Sequence, residues 1–172
     1  MKKYEFTGET KTINLSSRTV TLHRIKAVVE FGLVKVGELG GWIEKEENLS
    51  HKGDAWVSGD AVVSENAEVS GNAVVSENAV VRGNAVVCGD AVVSGDAEVF
   101  SVRHVLVIGP IGSRNAFTTF YHDKDNEITV QCGCFIGKID KFLEKVTQTH
   151  CDSKYALVYR AAVEVAKLQI EL

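Results

Sequence analysis

One proline, four cysteines and no run of 18 apolar residues occur in the 172 positions of this chain. Without such a run no segment is suited to cross a bilayer as a helix, and the opening MKKYEFTGETK lacks the apolar core of a signal peptide. The cysteines, at 88, 132, 134 and 151, are too few and too irregularly placed for a disulfide framework, so a reducing, cytoplasmic setting is expected. Between residues 53 and 100 there is no histidine, and Arg82 is the only base against eight acids. An acidic stretch of that kind argues against wrapping nucleic acid or lying on an anionic membrane. It also lacks the imidazole that general-base catalysis most often uses. The five histidines (23, 51, 104, 122, 150) show no ligand spacing, so no metal or other cofactor is expected.

What the same stretch contains is one six-residue phrase written eight times: GDAWVS, GDAVVS, ENAEVS, GNAVVS, ENAVVR, GNAVVC, GDAVVS, GDAEVF. The third letter is always Ala, the fifth always Val, and the second always Asp or Asn. Residues two apart on a strand point to the same side, so each phrase reads as a short strand with Ala and Val inward, followed by a corner. A corner this tight needs a residue with positive φ. Because Glu occupies the first slot at 65 and 77, the left-handed residue is placed at the Asp or Asn. Three such sides close a triangular coil of 18 residues, and stacked coils make parallel strands; repeats of this length signal a solenoid. At that spacing the corners stack as Asp54, Asn72, Asp90; as Asp60, Asn78, Asp96; and as Asn66, Asn84. No Asp lies on another Asp, and each Asn can hydrogen-bond to its neighbour.

The phrase resembles the hexapeptide repeat of left-handed parallel β-helix proteins, in which an inward aliphatic residue is followed four places later by a small one, as in Val63 to Ala67 or Val75 to Ala79. The resemblance implies the left hand and a fold that is mainly β. It does not imply one activity, since that family includes acyltransferases, carbonic-anhydrase-like enzymes and proteins without catalysis.

The expected organisation is an N-terminal β segment and cap over 1–48, the β-helix over 49–112 and a C-terminal α+β domain over 113–172. The first segment is rich in β-branched and aromatic residues (YEFTG, RTVTLHRIKAVVEFG, LVKVG). Counting the Ala series backward from 55 reaches Leu49 and Ile43, so coiling is expected to begin early, with Trp42 and Ile43 covering the open end. Val105 and Ile111 keep the Val phase, which extends the coil to about Gly112. Beyond it, RNAFTTFYH and EITVQCGCF form a hairpin around HDKDNE. KIDKFLEKVTQTH makes a three-turn amphipathic helix, and a second helix opens at Asp152 or Ser153 with Tyr155, Tyr159, Ala162, Val163 and Ala166 on one stripe. Ala and Val are too small for the coil to offset its own ordering entropy, so caps and neighbours must contribute. The outward letters give Trp56, Val74 and Val92 on one face and Val62 and Val80 on the next. External apolar columns ask for cover. A homotrimer with parallel coils supplies it, as that family often does; the alternative is a tail folded back in a monomer.

Chemistry points away from the coil. His51 and His104 bracket it and are the only bases acyl transfer from coenzyme A would have. Cys132-Gly133-Cys134, read as strand, directs two thiols one way, with His150 and Cys151 following the helix; buried free thiols are preferred to a soft metal site. The stronger lead is IGPIGSRNAFTTFYH. Its Gly112 and Ser113 expose donors beside Arg114, and Thr118 and Thr119 add hydroxyls, which makes a cradle for a phosphate or carboxylate. The other reading pairs Arg114 with a tail carboxylate. GGWIEKEENLSH, IGSR, FTTF and CGCF are similar to uncharacterised hexapeptide proteins of phages and bacteria, a group that supplies no functional residue. The expected function is a non-enzymatic, homo-oligomeric binding protein. It would sequester a small anionic, nucleotide-type ligand, such as a host defence signal if a phage encodes it. Acyl transfer and a structural, adaptor or inhibitor role are the alternatives.

Overall fold

The repeat becomes a parallel β-solenoid of about three turns. In the computed structural model, which describes residues 1–172, three strands precede it: β1 (Tyr4–Asn14), β2 (Thr19–Ala27) and β3 (Leu39–Ile43). The eight phrases each give a two-residue strand: β4 (Trp56–Val57), β5 (Val62–Val63), β6 (Glu68–Val69), β7 (Val74–Val75), β8 (Val80–Val81), β9 (Val86–Val87), β10 (Val92–Val93) and β11 (Glu98–Val99). Residues 18 apart pair in parallel, as Trp56 with Val74 and Val74 with Val92, so three ladders form the walls. Every inward Ala and Val is buried. Backbone N–H groups donate to carbonyls one coil on, for example Trp56 N to Ala73 O at 2.9 Å and Ser58 N to Val75 O at 2.9 Å, which satisfies the polar backbone that coiling buries.

The corners differ from expectation in one respect. The left-handed residue is the first letter, not the Asp or Asn: Glu65 has φ 60° and Glu77 φ 61°, matching the glycines at the other corners. At Glu65 the cost of a left-handed non-glycine is offset because its carboxylate accepts the Gly83 N–H one coil on at 2.7 Å. The Glu44 carboxylate in turn accepts the Glu65 N–H at 2.6 Å. The Asx columns form as read: Asn72 Nδ2 donates to Asp90 Oδ1 at 3.0 Å, Asn78 to Asp96 at 3.3 Å and Asn66 to Asn84 at 3.2 Å.

Coiling does begin early, but two residues out of phase. Trp42 and Ile43 pair with Val62 and Val63, and Leu49 bridges Val69, a spacing of 20 rather than 18. Ile43 and Leu49 therefore occupy Val slots inside the coil, and Trp42 stands in its outer wall instead of closing its end. The closure comes from the antiparallel pair β1–β2, which joins β3 edge to edge. Tyr4, Ile25 and Ala27 enter the solenoid core, and the Tyr4 hydroxyl donates to Leu49 O at 2.8 Å and Glu46 O at 3.0 Å.

At the other end the last ladder strand is β11, and the coil does not run on to 112. Val105 and Ile111 lie instead in β12 (Val105–Ile111), the edge of a four-stranded antiparallel sheet with β13 (Ala116–His122), β14 (Ile128–Cys132) and β15 (Phe135–Lys138). The phase persists in the letters, but the Asx-containing corner is gone, so the chain extends instead of turning. Alternate residues of β13 serve opposite faces: Tyr121 enters the solenoid core, whereas Phe120 packs beneath the helices. β13 also closes the open coil edge, since the Thr119 hydroxyl accepts Val92 N–H at 3.0 Å and Lys124 N donates to Asp96 O at 3.1 Å. Helices α1 (Ile139–His150) and α2 (Lys154–Gln169) cover the far face, with Phe142, Val146, Tyr159, Ala162 and Val163 buried. Neither helix is long and apolar enough to cross a membrane.

Candidate functional site

Two hairpin turns and one helix line an open cavity of about 190 Å³ at the end of the tail sheet. The β12–β13 turn brings Ser113, Arg114 and Ala116, and the β14–β15 turn brings Cys132, Gly133 and Phe135. Helix α1 adds Phe142, Lys145, Val146, Thr149 and His150, residues three or four apart that share one face. From α2 only Tyr159 reaches it. Of the residues expected at a ligand site, Ser113, Arg114, Cys132 and His150 thus meet in one place, although 36 residues separate Arg114 from His150 in the chain.

The remaining four stand differently. Gly112 lies just outside: a Cβ there would collide with the Tyr159 hydroxyl, and its φ of 73° suits glycine. Thr118 is buried and reaches the cavity only through Cys132, donating to Sγ at 3.3 Å. Thr119 faces the solenoid and is engaged with Val92. The strand expected through Cys134 ends at Cys132, the last residue of β14, and Gly133 (φ 59°) and Cys134 form the turn; Cys134 is exposed and absent from the lining, and Cys132 is half-buried. The thiols therefore do not share a face. Phe142 and Tyr159 are read from the sequence only as core positions of the two helices, and Lys145 is not singled out. A lysine beside the apolar stripe, three residues after Phe142 and exposed, is the available signal.

No acidic residue lines the cavity. The ion pairs of the helices are Lys141 with Glu144, Arg160 with Asp152 and Lys167 with Glu164. Arg114 and Lys145 take part in none, so the tail carboxylate expected for Arg114 does not materialise. Aromatic rings form a continuous wall: Phe135 lies 5.4 Å from Phe142, Phe142 5.5 Å edge-on from Tyr159, and Tyr159 5.7 Å from His150. Burial pushes the Tyr159 phenol up to about 12, with Cys132 beside it adding to the rise and Arg114 opposing it. Like any phenol at neutral pH it carries its proton and is a donor to an incoming anion.

The two bases that acyl transfer would need are occupied elsewhere. His51 stacks on Tyr4 at 4.2 Å and its Nδ1 accepts the Lys3 N–H at 3.3 Å. His104 Nδ1 accepts the Phe100 N–H at 3.2 Å, and its ring lies 4.7 Å from that of His122. Neither lines the cavity.

The outer columns are largely covered within the chain. Trp56 is 4 % exposed beneath Phe31, at 5.4 Å, and Tyr4, at 6.5 Å. A Cβ on Gly40 would lie 2.7 Å from the Trp56 ring, so that glycine is what lets β3 pass. Val62 is buried among Val20, Leu22 and Trp42. Trp56 and Val62 are therefore not available as an assembly surface, because the N-terminal sheet occupies that face; Val74, Val80 and Val92 stay half-buried. No protein-family model matches the chain, and no curated protein matches it in sequence.

Proposed function

We propose that the protein binds, without chemical turnover, a small anionic ligand of nucleotide type in the cavity between the two hairpin turns and α1. The observation that carries this reading is the lining itself: Arg114 and Lys145 without carboxylate partners, no acid among the neighbours, and the aromatic wall from Phe135 to His150. Cations and hydroxyls suit a phosphate, and aromatic faces suit a planar base. In the phage setting that the sequence resemblance implies, such a ligand is a host signal and binding withholds it. The reading includes a homotrimer with parallel coils meeting through the half-buried Val74, Val80 and Val92, which native mass spectrometry of the untreated protein would report together with any retained ligand.

The test is calorimetric titration of the full chain with a panel of nucleoside monophosphates and of cyclic and ADP-ribose nucleotides. Micromolar binding by at least one of them, lost in Arg114→Ala, is the expected result. Absence of binding at micromolar concentration across the panel overturns it.

A further inference from the structure

We infer that the cavity selects a terminal phosphomonoester over a bridging or cyclic phosphodiester, its ligand being a nucleoside or other aromatic monophosphate; this rests on the anion-binding reading above. The charge balance comes first. Arg114 and Lys145 bring two positive charges that no carboxylate neutralises. A monoester near neutral pH carries close to two negative charges, its second ionisation lying near pH 6, whereas a diester carries one. A diester would leave one cation unmatched.

Donor count points the same way. The hydroxyls of Ser113, Thr149 and Tyr159 line the same cavity as the two cations. A terminal phosphate offers three free oxygens to these donors and a diester two, so the third oxygen has partners only in the monoester. The aromatic wall from Phe135 to His150 lines the same cavity and offers an aromatic ring a place beside these donors.

Arg114 and Lys145 are exposed at the rim, so truncating either leaves the core intact. The experiment is isothermal titration of the full chain, at fixed low salt, with adenosine 5′-monophosphate, adenosine 3′,5′-cyclic monophosphate, adenosine and inorganic phosphate. The monophosphate should bind at least about ten-fold more tightly than the cyclic form, as expected for one extra charge-assisted contact. Lys145→Ala should shrink that ratio to about two-fold or less by weakening the monophosphate alone. Equal or tighter binding of the cyclic form, or a Lys145→Ala variant that weakens both forms alike, overturns the selection while leaving anion binding standing. Failure of all four probes overturns the selection, and failure of the ADP-ribose nucleotides as well overturns anion binding.

Discussion

Replacing Trp56 by Ala separates a residue that closes this fold from one that joins copies of it. The indole is 4 % exposed, wedged between Phe31, Tyr4 and the backbone of Gly40. Truncating a buried Trp to Ala costs about 3–5 kcal/mol from lost transfer energy and the cavity left behind. For a chain of this size each kcal/mol moves the midpoint by about 2–4 °C, so the loss should read as a fall of roughly 6–20 °C. Urea unfolding should show a lower midpoint with an unchanged slope, because the same surface is exposed on unfolding. The indole Nε1 has no hydrogen-bond partner, so Trp56→Phe forfeits no bond and should cost only about 1–2 kcal/mol, largely lost packing. Trp42 stays as the fluorescence reporter in both variants, since the chain has two tryptophans. Light scattering on the same samples supplies the decisive contrast. If Trp56→Ala lost less than about 1 kcal/mol while the assembly changed mass, the residue would be an interface anchor and its placement under the N-terminal sheet would be refuted.

Three further outcomes are expected. Glu65→Ala leaves the Gly83 N–H without its charged acceptor while keeping a left-handed side chain, for a loss of about 1.5–3 kcal/mol; Glu65→Gly removes the strain and should be about 1 kcal/mol less damaging in urea unfolding. Lys3, buried with its ammonium donating to Ala55 O at 2.7 Å, has its pKa lowered by that burial to about 8 against an ordinary 10.5. The unfolded chain therefore holds more protons above pH 8, and stability should rise with pH from about 8. Tyr4, raised by burial above its ordinary 10, reverses the trend beyond about pH 10, because the unfolded phenol ionises first. Lys3→Met should flatten most of the rise, since Lys11 is also lowered by burial, and Tyr4→Phe should lessen the later fall, to which the buried phenols of Tyr121 and Tyr159 also contribute; a rise of unchanged size in Lys3→Met refutes the assignment. Gly112→Ala drives a methyl into the Tyr159 hydroxyl and should lower the midpoint, with Tyr159→Phe recovering part of the loss in a double-mutant cycle. Additive losses would mean that the two residues do not touch.

The solenoid was readable because its constraint is local and repeated: an inward slot that must hold Ala or Val every six residues leaves no freedom for anything else. The Asx columns followed from the same count. What escaped the letters depends on contacts one coil away. Glu in the first slot suggests a conventional φ until the Gly83 N–H is seen to need its carboxylate, and the two extra residues before Val57 shift Ile43 and Leu49 from Ala slots to Val slots without changing their hydrophobic character. Val105 and Ile111 misled for the complementary reason, since phase in one letter does not replace a missing corner. In the tail the hairpin at HDKDNE and both helices were legible, and so were four residues of the cavity. Lys145 and Tyr159 were not, because their approach depends on how α1 and α2 lie on the sheet, which no periodicity encodes.

The location of the cavity follows from the regularity of the coil. Six-residue fidelity fills the repeated inward slots with Ala and Val, which leaves them neither space nor polar groups for a ligand. The cavity forms at the aperiodic end. There the tail sheet is committed on one face, where Tyr121 closes the core and Thr119 satisfies the last ladder, and its turns extend past that contact to meet α1. Because β13 carries Thr119 and Tyr121 toward the coil and Thr118 toward Cys132, one strand serves both the end of the solenoid and the wall of the cavity. Cutting the chain before β13 would open the last coil and remove the cavity wall together. The tail is for that reason part of the solenoid's stability and not an appendage to it.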